Sequence, residues 1–165
     1  MAPNRYKPYL QIFVEDEANR DIVRGFLDFL EKRGVNPQYH IEDVCGGRDK
    51  VFQSFRDALG PFQKYQQRIA VLLVDFDGQP HQREDSYQEL VPEELQSRVL
   101  LLGCRNHPER LEKRSYQYGE ELAQECLDGT WREGWSDPEW SDNRERVQVN
   151  QNLLERVRSI LGLTG

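Results

Sequence analysis

The chain has 165 residues, 37% of them hydrophobic and 31% charged. That is enough apolar material for one domain with a core and too much for a disordered chain. The net charge of −7 excludes tight nonspecific binding to nucleic acid by bulk charge, because such binding rests on neutralising phosphates. It leaves open an acidic site that gathers cations.

In chain order, Tyr9 to Val14 (YLQIFV) is an apolar, β-rich run of strand length. It ends in Glu15-Asp16-Glu17. From Asn19 the period changes: Ile22, Val23, Phe26, Leu27, Phe29 and Leu30 recur at helical spacing, and Gly34 follows Lys32-Arg33 as a stop. Tyr39 to Val44 alternates weakly and reads as a second strand, broken by Cys45-Gly-Gly-Arg-Asp-Lys50. Val51, Phe52, Phe55, Ala58 and Leu59 mark a second helix, ended by Gly60-Pro61. Ile69 to Val74 is apolar on both faces, as a central parallel strand covered by helices should be.

The polar segment from Gln79 to Glu94 reads as a long loop. Val99 to Leu102 is a fourth strand, Leu111 to Leu127 contains a helix, and Val149 to Leu161 is a last amphipathic helix. The Trp-rich stretch Thr130 to Asp142, with Trp131, Trp135 and Trp140, reads as a cap on a hydrophobic edge or, more sharply, as a base-stacking platform. The order predicts one α/β domain over residues 1–165, a sandwich with a mostly parallel sheet of about four strands. Its core spans about 9–103, and a helical extension covers 104–165.

No apolar run approaches the roughly 18 residues of a membrane span, and MAPNRYKPYL lacks an apolar signal core. The expectation is no membrane contact and a cytoplasmic location. Cys45, Cys104 and Cys126 are widely spaced, form no CxxC pair and match no zinc spacing with His40, His81 or His107. They read as thiols in a reducing compartment, with Cys45 beside Gly-Gly as the one candidate for reactivity.

Chemistry points to the strand ends, where open parallel sheets collect functional groups. The first strand delivers Glu15, Asp16 and Glu17, and the third delivers Asp75 and Asp77. With period two, Asp75 and Asp77 face one side and both reach one cation, while Phe76 points into the core. Mg²⁺ prefers hard oxygen ligands and is held by one or two carboxylates plus substrate phosphate. An Asp-x-Asp after a strand serves equally as a polar turn, so the first-strand acids decide between the two.

The loop Gly46-Gly47-Arg48-Asp49-Lys50 opens a helix, where free N–H groups favour a phosphate or simply start the helix. Gly46, Gly47, Arg48 and Lys50 are the phosphate candidates, although P-loop spacing is absent. Glu109 is a further candidate ligand. Lys113, in a modest basic cluster with Arg105 and Arg114, is a candidate for charge stabilisation or one side of a solvated helix.

The pair FVEDEANRDIV and VLLVDFDG resembles the Toprim domain of topoisomerases, bacterial primases, recombination-repair proteins and OLD-family nucleases. The resemblance is nearest to the stand-alone or OLD-like branch and covers about Tyr9 to Gly103. In that family a glutamate ends the first strand, often within V-E-G-x-x-D, and a D-x-D ends a later one. The resemblance implies that Glu15 is the family glutamate, as metal ligand or acid–base group, and that Asp75 and Asp77 bind Mg²⁺ or Mn²⁺. Asp16 and Glu17 are secondary candidates.

The resemblance also implies cleavage of phosphodiester bonds in nucleic acid, with a possible protein partner such as an ATPase. Asp16 stands where the family has glycine. That departure, and the lack of a basic groove, favour the alternative of a non-catalytic interaction module. Phosphoryl transfer on a nucleotide is a third reading. Tyr116 and Tyr118 are in no recognisable nucleophile arrangement. The second half, with His107-Pro-Glu-Arg-Leu111, resembles a group of uncharacterised bacterial proteins and implies no function.

Overall fold

A computed structural model describes residues 7–128, 135, 137–149 and 151–163. Strands β1 (Tyr9–Val14), β2 (Tyr39–Ile41), β3 (Arg68–Leu73) and β4 (Val99–Leu102) form one parallel sheet in the order β2-β1-β3-β4. Each strand falls where the sequence predicts one. β2 is shorter than expected, yet the N–H groups of Glu42 and Cys45 still donate to the carbonyls of Ile12 and Val14. The chain therefore runs on beside β1 as far as Gly46.

Seven helices flank the sheet among the described residues: α1 (Glu17–Lys32), α2 (Arg48–Asp57), α3 (Leu59–Lys64), α4 (Pro80–Glu89), α5 (Ser115–Asp128), α6 (Asn143–Val149) and α7 (Gln151–Ile160). Strand alternation divides the core in two. Leu10, Ile12 and Val14 of β1 and Ile69, Val71 and Leu73 of β3 pack with α1, α5, α6 and α7. Phe13, Ala70, Leu72 and Val74 face the other way, against Val51, Phe52, Phe55 and Phe62 of α2 and α3. The α/β layering is thus as predicted, and the helices beyond residue 104 supply most of one whole side of it. On that side an apolar cavity of about 150 Å³ lies among residues such as Ile12, Val71, Leu100 and Val157.

α1 and α5 touch backbone to backbone. A Cβ at Gly25 would run into the carbonyl of Tyr116, and one at Gly119 into the carbonyl of Ile22. Gly119→Ala is therefore expected to lower the unfolding free energy by about 2–4 kcal/mol, although alanine favours a helix by about 1 kcal/mol. Urea denaturation measures this, and an unchanged midpoint would mean that the two helices separate freely.

Three local expectations are corrected. Gly60-Pro61 does not end a helix region but sits in the first turn of α3, where the first N–H groups have no helical acceptor and proline is tolerated. The predicted loop from Gln79 to Glu94 is largely α4, followed by a 3₁₀ turn at Glu93–Arg98. Pro80 starts α4, and only Tyr87 is buried, so no apolar stripe advertised the helix. The last helix is preceded by a separate one, α6, and α7 begins at Gln151 rather than Val149.

No helix among the described residues is long and apolar enough to cross a membrane.

Candidate functional site

The chain leaves β1 for β2 on one side and returns as β3 on the other, so the strand order reverses between β1 and β3. The crevice beyond the carboxyl ends of two such strands is where open parallel sheets bind ligands. Glu15 follows β1 and Asp75 follows β3, on the two walls of that crevice.

Their carboxylates are held from several directions. The N–H of Glu15 donates to Leu73 O at 3.0 Å, and the N–H of Asp75 donates to Glu15 Oε2 at 2.7 Å. Arg48, the first residue of α2, lies near enough for its charge to lower the Glu15 carboxyl. Asp75 continues the alternation of Ile69, Val71 and Leu73, and so it faces α1. There Asn19 Nδ2 donates to Asp75 Oδ1 at 3.3 Å.

Asn19 is fully buried, and its Oδ1 has no hydrogen-bond partner among the described residues. Asp16 is the N-cap of α1, its Oδ1 accepting the N–H of Asn19 at 3.0 Å. Capping explains why an acid stands at that position. Glu17 is exposed in the first turn of α1.

Electrostatics set the character of the pair. Burial, and then repulsion from Glu15, push the Asp75 carboxyl up to about 7. Burial also raises Glu15, against the lowering effect of the Asp75 N–H, while the charge of Asp16 adds to the rise. Two carboxylates that resist ionisation together are what an unneutralised acidic pair looks like.

Asp77 departs from the expectation. The N–H of Gln79 donates to Phe76 O at 2.9 Å, closing a turn in which Asp77 (φ 51°) and Gly78 (φ 75°) are both left-handed. Period two ends at Phe76, because a residue in that region no longer alternates as a strand residue does. Asp77 does not share the side of Asp75. It is exposed and forms an ion pair with Arg48. Phe76 is fully buried, as predicted.

Among the described residues no group of three or more His, Cys, Asp or Glu side chains is placed to hold a metal ion. The donors that do meet are Glu15 and Asp75, with the unpaired amide oxygen of Asn19 beside Asp75. That set fits a magnesium-type ion with one or two carboxylates and otherwise water or substrate oxygens. Asp77, as placed, is not part of it.

The remaining candidates lie as follows. Gly46 donates its N–H to Glu15 O at 2.8 Å, and Gly47 is the N-cap of α2, so the glycine loop does border the acidic pair. Lys50 is exposed on α2. Glu109 is exposed, and its Oε2 meets His107 Nδ1 at 2.8 Å. Lys113 pairs with Glu121 at 2.8 Å, and Arg105 holds Asp142 through two bonds of 2.9 and 2.8 Å.

Tyr116 donates to Asp28 Oδ2 at 2.7 Å, and this hydrogen bond pushes its hydroxyl up to about 12. Burial raises Tyr118 as well. Neither phenol is a ready nucleophile. Burial likewise raises the Cys45 thiol, which removes the reason to expect a reactive thiolate there. Trp135 and Trp140 are buried and meet edge to face at 6.4 Å. They cap the core and offer no face to a base. Trp131 lies outside the described residues.

The sequence reading missed Asn19 as a partner of Asp75. It also missed the polar clasp in which Asn143, Glu139 and Arg146 close over the turn after β4. Glu139 accepts the N–H of Asn106 at 2.9 Å and its side-chain amide at 2.6 Å. Arg146 lies over the Phe76 ring at 4.0 Å and reaches Glu84 at 3.2 Å. The one local cue was the capping pair Asp16/Asn19, which marks a helix start but not a site.

Comparison with protein-family models, with curated proteins and with solved structures gives no match.

Proposed function

We propose that the protein is a divalent-cation-dependent enzyme acting on phosphodiester bonds of nucleic acid, as the resemblance of VEDE and DFDG to the Toprim pattern implies. The observation that carries this reading is the meeting of Glu15 and Asp75 at the β1/β3 switch point, where the N–H of Asp75 donates to Glu15 Oε2 at 2.7 Å and burial raises both carboxyls, Asp75 further by repulsion from Glu15. Mg²⁺ or Mn²⁺, when bound, would neutralise charge on a phosphodiester and supply an activated water. Glu15, fixed by the N–H of Asp75, is the acid–base group: a carboxyl with raised proton affinity suits transfer near neutral pH.

Asn19 orients Asp75. Arg48, at the mouth of the crevice, is the group for a substrate oxyanion. With a net charge of −7 the chain draws little affinity from bulk charge, so a partner chain such as an ATPase brings the nucleic acid to the site. A specific observation favours a second reading, a non-catalytic interaction module: Asp77 is engaged by Arg48 rather than by the acidic pair.

Calorimetric titration of Mn²⁺ into wild type and Glu15→Gln separates the two. Saturable binding weakened at least tenfold by the substitution, together with Mn²⁺-dependent nicking of plasmid or single-stranded DNA or RNA, is the expected result. Binding unchanged by Glu15→Gln, or no binding at millimolar metal, would favour the module. Turnover of nucleotides but not polymers would move the substrate to a nucleotide.

A further inference from the structure

Arg48 lies close enough to Glu15 for its charge to lower that carboxyl, and its guanidinium holds Asp77. Residue 48 therefore stands between the acidic pair and the third carboxylate. Asp77 lies on an exposed turn that leaves its side chain unpacked by the core. The loop preceding Arg48 is anchored to the acidic strand end by Gly46 N–H on Glu15 O at 2.8 Å. An anion that takes Arg48 is thereby held beside the acidic strand end, and it frees Asp77, two positions from Asp75. A guanidinium binds a phosphate oxyanion in fork geometry as readily as a carboxylate.

We propose that Arg48 is an oxyanion-operated latch. It withholds Asp77 from the cation site until a substrate phosphate displaces the carboxylate, so that cation and phosphate binding are positively coupled. The inference rests on the cation reading of Glu15 and Asp75 and adds a specificity device to it. A cation is then held tightly only when a phosphate-bearing substrate is present, and Arg48 selects that substrate. By linkage the coupling is reciprocal, and such couplings lie at about 5–150-fold.

The test is Mn²⁺ affinity, measured by calorimetry without turnover, in wild type, Arg48→Ala, Asp77→Asn and the double variant. Circular dichroism checks that each is folded, and Arg48→Lys, which keeps the charge without the fork, serves as a second probe of the latch. Arg48→Ala is expected to tighten Mn²⁺ by about tenfold, and the gain is expected to vanish in Arg48→Ala/Asp77→Asn. Sodium sulfate at constant ionic strength, as oxyanion probe, is expected to tighten Mn²⁺ in wild type and not in Arg48→Ala.

A gain that survives in the double variant would come from through-space charge alone and would overturn the latch. So would an unchanged affinity in Arg48→Ala. If Mn²⁺ binds wild type and is weakened by Glu15→Gln while this cycle shows no coupling, the latch fails and the cation site stands. If Mn²⁺ binds neither wild type nor Arg48→Ala, the cation reading itself fails, and the latch with it.

Discussion

Asp75→Asn is expected to stabilise the fold near neutral pH while abolishing Mn²⁺ binding. The carboxyl is buried and raised to about 7 by desolvation and by Glu15, against an ordinary value of about 3.9 in the unfolded chain. The sign follows from proton counting. Between those two values the folded state holds one more proton than the unfolded state, so stability falls as pH rises through that window. The contribution is fully present below about pH 4 and lost above about pH 7, a swing on the order of 4 kcal/mol at about 1.4 kcal/mol per pH unit.

Asparagine keeps an acceptor for Asn19 Nδ2 and removes the charge. Denaturant unfolding in the presence of a chelator is expected to show wild type and variant nearly equal near pH 4. The variant is expected to lead by roughly 2–4 kcal/mol near pH 8. Added Mn²⁺ is expected to raise the stability of wild type alone, because only a state that binds a ligand gains from it. A variant no more stable than wild type at the higher pH would mean that the carboxylate is solvated or neutralised by a partner. A residue that weakens the fold and sits at a switch point is the signature of function kept against stability.

Asn143→Ala is expected to be among the most damaging single changes outside the site. Its side chain is fully buried and fully used. Oδ1 accepts the N–H of Gly103 at 3.0 Å and Arg146 Nη1 at 2.7 Å, and Nδ2 donates to Gly103 O at 2.9 Å and Trp140 O at 3.0 Å. It pairs with both polar groups of Gly103 as a neighbouring strand would, just past the end of β4.

Gly103 is required there because a Cβ would strike the carbonyl of Val74. Alanine at 143 leaves the two Gly103 groups and a buried guanidinium short of partners, which costs about 3–5 kcal/mol. Urea unfolding measures the loss, and hydrogen exchange at the Gly103 amide localises it. A loss below about 1 kcal/mol would mean that water replaces the side chain at no great cost.

The two results bear on one piece of architecture. Cys104 and Arg105 stand opposite the site strand, since Phe76 N–H donates to Cys104 O at 3.0 Å and Gly78 N–H to Arg105 O at 2.8 Å. The clasp of Asn143, Glu139 and Arg146, with Asp142 on Arg105, thus anchors the far side of the turn that carries Asp77. Loosening the clasp in Asn143→Ala is expected to loosen the turn, and the position of the third carboxylate with it.

What the sequence determined by itself was whatever depends on short range. Runs of apolar residues set the four strands, because a strand buried on both faces has no polar positions to hide it. Helical spacing set α1, whose stop at Gly34 needs a left-handed glycine (φ 81°). Acids immediately after two such strands were legible as a site, since parallel strands with helical crossovers bring their carboxyl ends to one edge.

Only the tertiary structure decided the rest. Nothing local says that Asp77 adopts a left-handed turn and meets Arg48, at the start of a helix 29 residues earlier. Nor does anything local say that Asn19 faces Asp75 across 56 positions, or that Asn143 satisfies Gly103 across 40. A side-chain hydrogen bond carries no period, and its partner is set by which elements pack. Helix α4 stayed hidden for the converse reason: it buries only Tyr87, so its formation owes little to any pattern a one-dimensional reading detects.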